Sequence, residues 1–223
     1  MTQLPGPLPS PPDDFASRKL PLFEAKGPLF RLHAVRRDAL HFGRTASWRF
    51  DDPDRRYGVC YTATDIHGAF AETFTKALQA GLIAEAELRS RGLARISCRR
   101  PLALVDLATS GGLAKIRADA RLFAGDHAVA RRWSAAIHSH PAKPDGILCP
   151  ARHDPARTVC AVFERAKGAL RVEELGSLID GALIPTLSEL LDTYGLGLVP
   201  EVSQGDRFSH QGFDLRLPIR RKP

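Results

Sequence analysis

The sequence predicts one α+β domain built on a mixed β-sheet. Segments typical of strands and of helices both occur, but they do not alternate strictly as they would in a doubly wound sheet. No period of about 20 to 50 residues repeats, which argues against a solenoid. With 43% hydrophobic and 26% charged residues, the chain of 223 residues has the composition of a globular protein.

Short apolar and β-branched runs predict the strands, and apolar residues at helical spacing predict the helices. The predicted strands are 28–35, 57–64, 93–98, 102–107, 146–149 and 157–164. The predicted helices are 66–80, 126–140 and 183–195. Asp65 is the expected N-cap of the first helix and Gly81 its stop, while Pro185 and Gly195 mark the ends of the last.

Composition divides the chain into three parts. Residues 1–27 are rich in proline and lack periodicity, so we predict an N-terminal extension of the type found in mobile linkers. Residues 28–200 carry the predicted elements, and residues 201–223 form a polar and basic tail. The N-terminus lacks the features of a signal peptide, and no apolar run approaches the roughly 20 residues that span a bilayer. We expect a cytoplasmic protein without a membrane partner.

The net charge of +7 favours anionic partners without naming one. A nucleic-acid backbone, the phosphates of a small molecule and solvent around a basic surface all fit. The chain has no GxxxxGK[ST] and no GxGxxG after a strand, and SGG at 110–112 predicts only a turn. Arginine side chains must therefore bind any phosphate, and Arg31 and Arg49 are the candidates, against the alternative of two surface arginines.

Other common catalytic patterns are weak. The four cysteines form no CxxC pair and lie in or beside apolar runs, which predicts buried, reduced thiols. HSH at 138–140, with His153 and Asp154, offers metal-ligand side chains but no established spacing, so we assign no metal site. No GxSxG motif is present to supply a serine nucleophile.

A tyrosine and a glutamate lie around the start of the first predicted helix. Tyr61 is near the end of a strand, and Glu72 points about 150° away from the apolar face of the helix. This geometry fits a glutamate in solvent. It equally fits a carboxylate facing a cleft with Arg31 and Arg49 on its other walls, and periodicity does not distinguish the two.

Taken in order, these segments resemble the RES domain family, named for arginine, glutamate and serine. LFRLHA is similar to its opening motif, with the arginine at Arg31, and SWRF to the segment of a second arginine, Arg49. GVCYTATDIHGAFAET resembles the stretch that carries the tyrosine and the glutamate, here Tyr61 and Glu72. Residues 133–165 resemble the later block, and the resemblance covers about residues 28–165, with a family-like ending to about Val199.

The resemblance implies a catalytic domain over 28–200 with a fold related to ADP-ribosyltransferases. It implies that NAD+ is a substrate rather than a cofactor, and that the nicotinamide–ribose bond is cleaved by phosphorolysis, hydrolysis or ADP-ribosyl transfer. Glu72 would stabilise positive charge on the ribose, and Tyr61 would stack on nicotinamide and position the ribose. Arg31 and Arg49 would pair with the pyrophosphate. We therefore expect Glu72, Tyr61 and Arg31 to be catalytic.

The resemblance also implies partners. RES proteins are toxins of toxin–antitoxin systems, neutralised by a small antitoxin with a helix-turn-helix domain. Any contact with nucleic acid would then be indirect, through the antitoxin. A basic nucleic-acid-binding protein and a metal-dependent hydrolase are the weaker alternatives, because the chain carries no recognised reading element and no fixed ligand spacing.

One departure from the family pattern keeps a second function open. Ala151 stands before Arg152, where the family places its serine. The loss of one hydrogen bond costs about 0.5 to 1.5 kcal/mol, which would weaken activity without abolishing it. The alternative is a catalytically impaired RES-like protein that binds a nucleotide or a partner.

Overall fold

The computed structural model describes residues 10–201. Its strands are β1 (Leu22–Ala25), β2 (Leu29–Ala34), β3 (Val59–Ala63), β4 (Leu82–Ala84), β5 (Arg91–Cys98), β6 (Leu102–Asp106), β7 (Gly146–Pro150), β8 (Thr158–Phe163), β9 (Leu170–Gly176) and β10 (Gly197–Val199). Its α-helices are α1 (Ile66–Thr73), α2 (Thr75–Ala80), α3 (Glu85–Arg89), α4 (Gly112–Ile116), α5 (Arg121–Ala124), α6 (His127–Ser139) and α7 (Ile184–Tyr194). Within these residues, no helix has the length and apolar character needed to cross a membrane.

Eight strands form one mixed sheet in the order β1–β6–β7–β8–β3–β2–β5–β9. Neighbouring strands are antiparallel except β6 and β7, which are parallel. Strands β4 and β10 pair separately, in parallel. The predicted α+β class with a mixed sheet is confirmed.

The predicted elements are present, and the main difference lies in the first helix. The six predicted strands correspond to β2, β3, β5, β6, β7 and β8, and the helices to α1 with α2, α6 and α7. The first helix is interrupted at Phe74 (φ −104°, ψ 39°), whose buried ring packs on Phe70 with 4.8 Å between ring centroids. Asp65 caps the helix by accepting a 2.7 Å bond from the Gly68 N–H, and Gly81 ends it at φ +70°.

Four strands are not predicted by the sequence pattern. Strands β1, β4 and β10 contain only three or four residues, too few for an alternating pattern to stand out. Strand β9 is an edge strand with charged side chains, including Glu173, directed into solvent. Charge on an exposed edge is common because it prevents pairing with other chains, and it hides the strand from a hydrophobicity pattern.

Alternate residues of the central strands build cores on opposite faces of the sheet. On one face, α6 buries Trp133 and Ile137 against Val105, Ile147 and Ala161. On the other face, the intervening residues pack against the turn at Glu164–Ala169: Leu104, Leu148 and Val162. A third cluster joins α1, α2 and α7 through the buried side chains Phe70, Phe74, Leu187 and Leu190.

Part of the predicted N-terminal extension belongs to the folded domain. Phe15 and Leu20 are buried, and β1 pairs with β6 at one edge of the sheet. His140 Nε2 donates to the carbonyl of Arg18 at 3.0 Å, which ties this segment to the end of α6. Residues 1–9 and all but the first residue of the predicted tail lie outside the described part of the chain.

We expect Gly112→Ala to destabilise the fold. Gly112 ends the SGG segment and begins α4, and a Cβ added there would lie 2.2 Å from the backbone oxygen of Asp106. Overpacking of this kind costs about 1 to 3 kcal/mol in the free energy of unfolding, measurable by urea denaturation. The control is Gly168→Ala, where an added Cβ has nothing within 4 Å. Equal losses in the two variants would contradict the prediction.

Candidate functional site

Three of the four predicted site residues lie close enough to one another to interact electrostatically. Tyr61 lies on β3, Glu72 on α1 and Arg49 in the loop that precedes β3. Burial lowers the pKa of the Arg49 guanidinium, the positive charge of Arg152 lowers it further, and Glu72 and Tyr61 act in the opposite direction. These interactions identify four neighbouring groups: Arg49, Tyr61, Glu72 and Arg152.

The carboxylate of Glu72 is held by a backbone donor. The side chain is exposed, and its Oε1 accepts a 2.6 Å hydrogen bond from the N–H of Arg152, in the segment that follows β7. A hydrogen bond to a carboxylate is stronger than one between neutral groups and fixes its direction. Glu72 is therefore oriented by the protein while it stays accessible to a ligand.

Arg49 is half-buried and only partly engaged. Its Nη1 donates to the carbonyls of Leu122 (3.3 Å) and Gly125 (2.9 Å), which flank the end of α5. Among residues 10–201, no acceptor contacts its Nε or Nη2. Arg152, with an exposed side chain, likewise makes no side-chain hydrogen bond within that range. Two neighbouring guanidiniums with unused donors form a favourable site for an anion.

The hydroxyl of Tyr61 is used inside the protein. It accepts a hydrogen bond from the N–H of Phe50 and donates one to Oδ1 of Asp51, both at 3.0 Å. Burial raises the pKa of Tyr61 well above its usual value, and the charge of Asp51 adds to this effect. The phenol therefore stays protonated and anchors the preceding loop, a use different from the predicted positioning of a ribose.

Arg31 does not join the other three residues. Its Nη1 donates to Cys60 Sγ (2.6 Å) and to the carbonyls of Ala39 (2.9 Å) and His41 (3.0 Å). Consecutive residues of a strand point to opposite faces, so Cys60 and the Arg31 guanidinium lie across the sheet from Tyr61. The contacts of Arg31 fix the 39–41 segment on that face.

A cleft of about 450 Å³ adjoins the group at the ends of the parallel strands β6 and β7. Its walls come from the segment after β6, from α5 and from the segment after β7, and their side chains are mostly apolar. Arg152 lines the cleft directly. Arg49 donates to the two carbonyls that flank Phe123 and Ala124, two residues that line the cleft. An apolar cleft with a few charged groups at its edge suits a small ligand.

The HSH segment serves packing. His138 stacks on Tyr57 with 3.7 Å between ring centroids, and burial together with the charge of Arg165 lowers the pKa of His138 to about 4. His140 accepts from the N–H of Ala142 at Nδ1 and donates from Nε2. Among the described residues, no three His, Cys, Asp or Glu side chains are grouped to hold a metal ion.

The cysteines are free, as predicted. Cys60, Cys149 and Cys160 are buried and Cys98 is half-buried. Burial raises the pKa of each thiol, that of Cys160 to about 12.

Two residues of the site were not predicted. Arg152 follows Ala151 in the segment used for the family resemblance, so its position in the motif was the only available signal. Asp51 is buried and binds both Tyr61 and the loop before Arg49. Nothing in the sequence separates it from its neighbour Asp52.

Comparisons with known proteins show the family of this chain. The family model of the RES domain matches residues 28–182. The chain belongs to the RES domain family. The match begins just before β2 and ends just before α7, so it includes neither β1 nor α7.

Individual relatives extend the likeness of this RES protein. Over 116 residues it is 35% identical to the "Probable toxin y4kH" of Sinorhizobium fredii (strain NBRC 101917 / NGR234), an alignment over 51% of this chain and 87% of that protein. A chain in the crystal structure of the M. tuberculosis MbcT–MbcA toxin–antitoxin complex matches at a TM-score of 0.60 and 20% identity, over 82% of this chain and 100% of that chain. The structural match establishes a shared fold.

We expect the His138→Phe variant to lose less stability in acid than the wild-type protein does. The pKa of His138 is about 4 in the folded protein and 6.5 for an unperturbed histidine, so between these values the unfolded chain binds a proton that the folded one does not. This contribution to stability is complete above pH 6.5 and is lost as the pH falls towards 4. Phenylalanine keeps the stack on Tyr57 and removes the titration. Urea unfolding at about pH 7.5 and about pH 5 measures the difference.

The control for this measurement is His41→Gln, because His41 is exposed. A pH dependence in His138→Phe as steep as in the wild type and the control would contradict the prediction.

Proposed function

We propose that this RES protein is the toxin of a toxin–antitoxin pair and that it degrades cytoplasmic NAD+ by cleaving the nicotinamide–ribose bond. The observation that carries the proposal is the oriented carboxylate of Glu72, held at 2.6 Å by the Arg152 N–H beside the guanidinium of Arg49. Family membership supports it, as do a relative named a probable toxin and a fold shared with a chain of a toxin–antitoxin complex.

In this proposal Arg49 and Arg152 bind the pyrophosphate of NAD+. Each has unused donors. Burial and the positive charge of Arg152 lower the pKa of Arg49, and an anion between the two guanidiniums offsets both effects. A guanidinium can donate two parallel hydrogen bonds to a phosphate, which also fixes its orientation. Because Arg31 lies on the opposite face, we assign it the support of the 39–41 segment instead of the pyrophosphate.

Glu72 acts on the ribose. When the bond between C1′ and the nicotinamide nitrogen breaks, its electron pair leaves with nicotinamide, and the ribose takes on oxocarbenium character. A carboxylate fixed beside the sugar stabilises that charge without having to reorganise. Phosphate, water or a protein side chain then attacks C1′ and loses a proton. The half-buried ring of Tyr61 contributes a surface for stacking.

We expect the purified protein to release nicotinamide from NAD+ and Glu72→Gln to reduce the rate about 100- to 1,000-fold, as expected for the loss of an electrostatic stabiliser. Glutamine keeps an acceptor for the Arg152 N–H and removes only the charge. The control is Glu173→Gln, an exposed glutamate on the edge strand β9. Nicotinamide is measured by chromatography with and without inorganic phosphate.

The outcomes separate the alternatives. Release that requires phosphate identifies a phosphorylase, whereas release that is indifferent to phosphate identifies hydrolysis or transfer. Folded, antitoxin-free protein that binds NAD+ without releasing nicotinamide would contradict the enzymatic proposal. It would favour the impaired RES-like binding protein that Ala151 leaves open.

We expect Ala151→Ser to raise kcat/KM for NAD+ about two- to tenfold, the effect of one added hydrogen bond of roughly 0.5 to 1.5 kcal/mol. Ala151 is 1% exposed and lines the cleft, so the new hydroxyl would lie at the wall that the ligand contacts. The control is Ala156→Ser, an exposed position in the same segment. A decrease, or an equal rise in both variants, would show that this position does not contribute through a hydroxyl.

The proposed protein partner is a small antitoxin with a helix-turn-helix domain that covers the cleft. The net charge of +7 favours an acidic inhibitor, because complementary charge speeds association and suppresses wrong partners. Contact with DNA would then belong to the antitoxin.

A further inference from the structure

The loop that carries Arg49 contains one residue in an unfavourable backbone conformation. Within it, Ala46 has φ +56°, in the left-handed region that is unfavourable for any residue with a Cβ. Side chains elsewhere in the protein must therefore hold the loop in place. Arg131 of α6 does so from one side, with its Nη1 donating to the carbonyl of Ala46 at 2.8 Å.

Asp51 holds the loop from the other side. Its carboxylate is 1% exposed, and Oδ2 accepts from Thr45 Oγ1 and from the N–H groups of Ser47 and Trp48, each at 3.1 Å. Its Oδ1 accepts from the hydroxyl of Tyr61 at 3.0 Å. One buried carboxylate thus joins the residues on both sides of Ala46 to strand β3.

Arg49 directly follows residues 45–48, the stretch that Asp51 bonds. Its guanidinium donates to the carbonyls of Leu122 and Gly125. We infer that Asp51 is a positioning residue, which holds the Arg49 guanidinium where a pyrophosphate-bearing substrate needs it. The inference rests on the proposed function for the identity of the substrate. The bonds to Asp51 rest on the structure alone.

Asp52 provides a matched control. It is also 1% exposed, and it accepts hydrogen bonds from the N–H groups of Asp54, Arg56 and Tyr57. It also pairs with the Arg56 guanidinium, so it supports the turn that follows Asp51. Within residues 10–201, none of its hydrogen bonds goes to the segment before Arg49. Loss of either carboxylate removes a buried acceptor from a turn, but of the two only Asp51 bonds the segment that precedes Arg49.

The experiment compares Asp51→Asn with Asp52→Asn, after thermal unfolding has shown that both variants fold. Asparagine replaces one acceptor oxygen by a donor, so either the loop N–H groups or the Tyr61 hydroxyl loses its acceptor. We expect Asp51→Asn to weaken binding of inorganic pyrophosphate about ten- to hundredfold, since a misplacement of about 1 Å has effects of that size. Asp52→Asn should stay within about twofold of the wild type.

Calorimetric titration with inorganic pyrophosphate gives the affinity, and steady-state cleavage of NAD+ gives KM and kcat separately. Displacement of Arg49 raises KM about as much as the pyrophosphate dissociation constant and changes kcat less than about threefold. Equal weakening in the two variants, or an unchanged affinity in a folded Asp51→Asn, would overturn the inference. If Asp51→Asn does not fold, Thr45→Val removes one of the four bonds, and an affinity unchanged in that variant would overturn the inference as well.

The two proposals fail in different ways. Wild-type protein that binds pyrophosphate but does not cleave NAD+ overturns the proposed function, and the pyrophosphate series still decides the role of Asp51. Wild-type protein that does not bind pyrophosphate overturns the role of Asp51. Cleavage of NAD+ by that same protein would leave the proposed function standing.

Discussion

The parallel pairing of β6 and β7 determines where the cleft of about 450 Å³ opens. A parallel pair needs a long crossover, and residues 107–145 form it, with α4, α5 and α6 along its length. The crossover leaves β6 and returns to the start of β7, so a cleft opens between the ends of the two strands and the helices beside them. The other six neighbouring pairs of this sheet are antiparallel.

The crossover also orients the loop before β3, through hydrogen bonds rather than apolar packing alone. Ser134 of α6 donates to the carbonyl of Phe50 at 2.6 Å and shares a 3.0 Å bond with the hydroxyl of Tyr57. Arg131 of α6 also donates a hydrogen bond to this loop. In the other direction, Arg49 of the loop donates to the carbonyls of Leu122 and Gly125, on either side of the end of α5. The site is therefore assembled between two segments far apart in sequence, and neither could hold its arginine or its cleft alone.

The sequence predicted the elements with strong periodicity and the residues within a motif. Six strands and three helices followed from periodicity. The resemblance to the RES domain singled out Arg49, Tyr61 and Glu72, which lie close enough in the structure to interact electrostatically. The sequence did not predict the direction of the Arg31 side chain. Whether its guanidinium contacts Cys60 or the cleft depends on which face of the sheet it occupies. The sequence also did not predict that the Tyr61 hydroxyl donates to Asp51, because this buried acceptor lies in a loop without a regular pattern. Hydrophobic periodicity carries no information on such tertiary contacts.

The difference between a backbone donor and a side-chain donor matters at Ala151. The donor that orients Glu72 is the backbone N–H of Arg152, which is present whatever side chain precedes it. The N–H of Ala151 itself donates to the carbonyl of Arg157 at 2.9 Å, so it continues the pairing of the segments beyond β7 and β8. Alanine therefore leaves the orientation of the carboxylate unchanged and removes only a hydroxyl at the cleft wall. In the proposed function, the substitution would alter one contact with the ligand, whereas the loss of Glu72 would remove the oriented carboxylate itself.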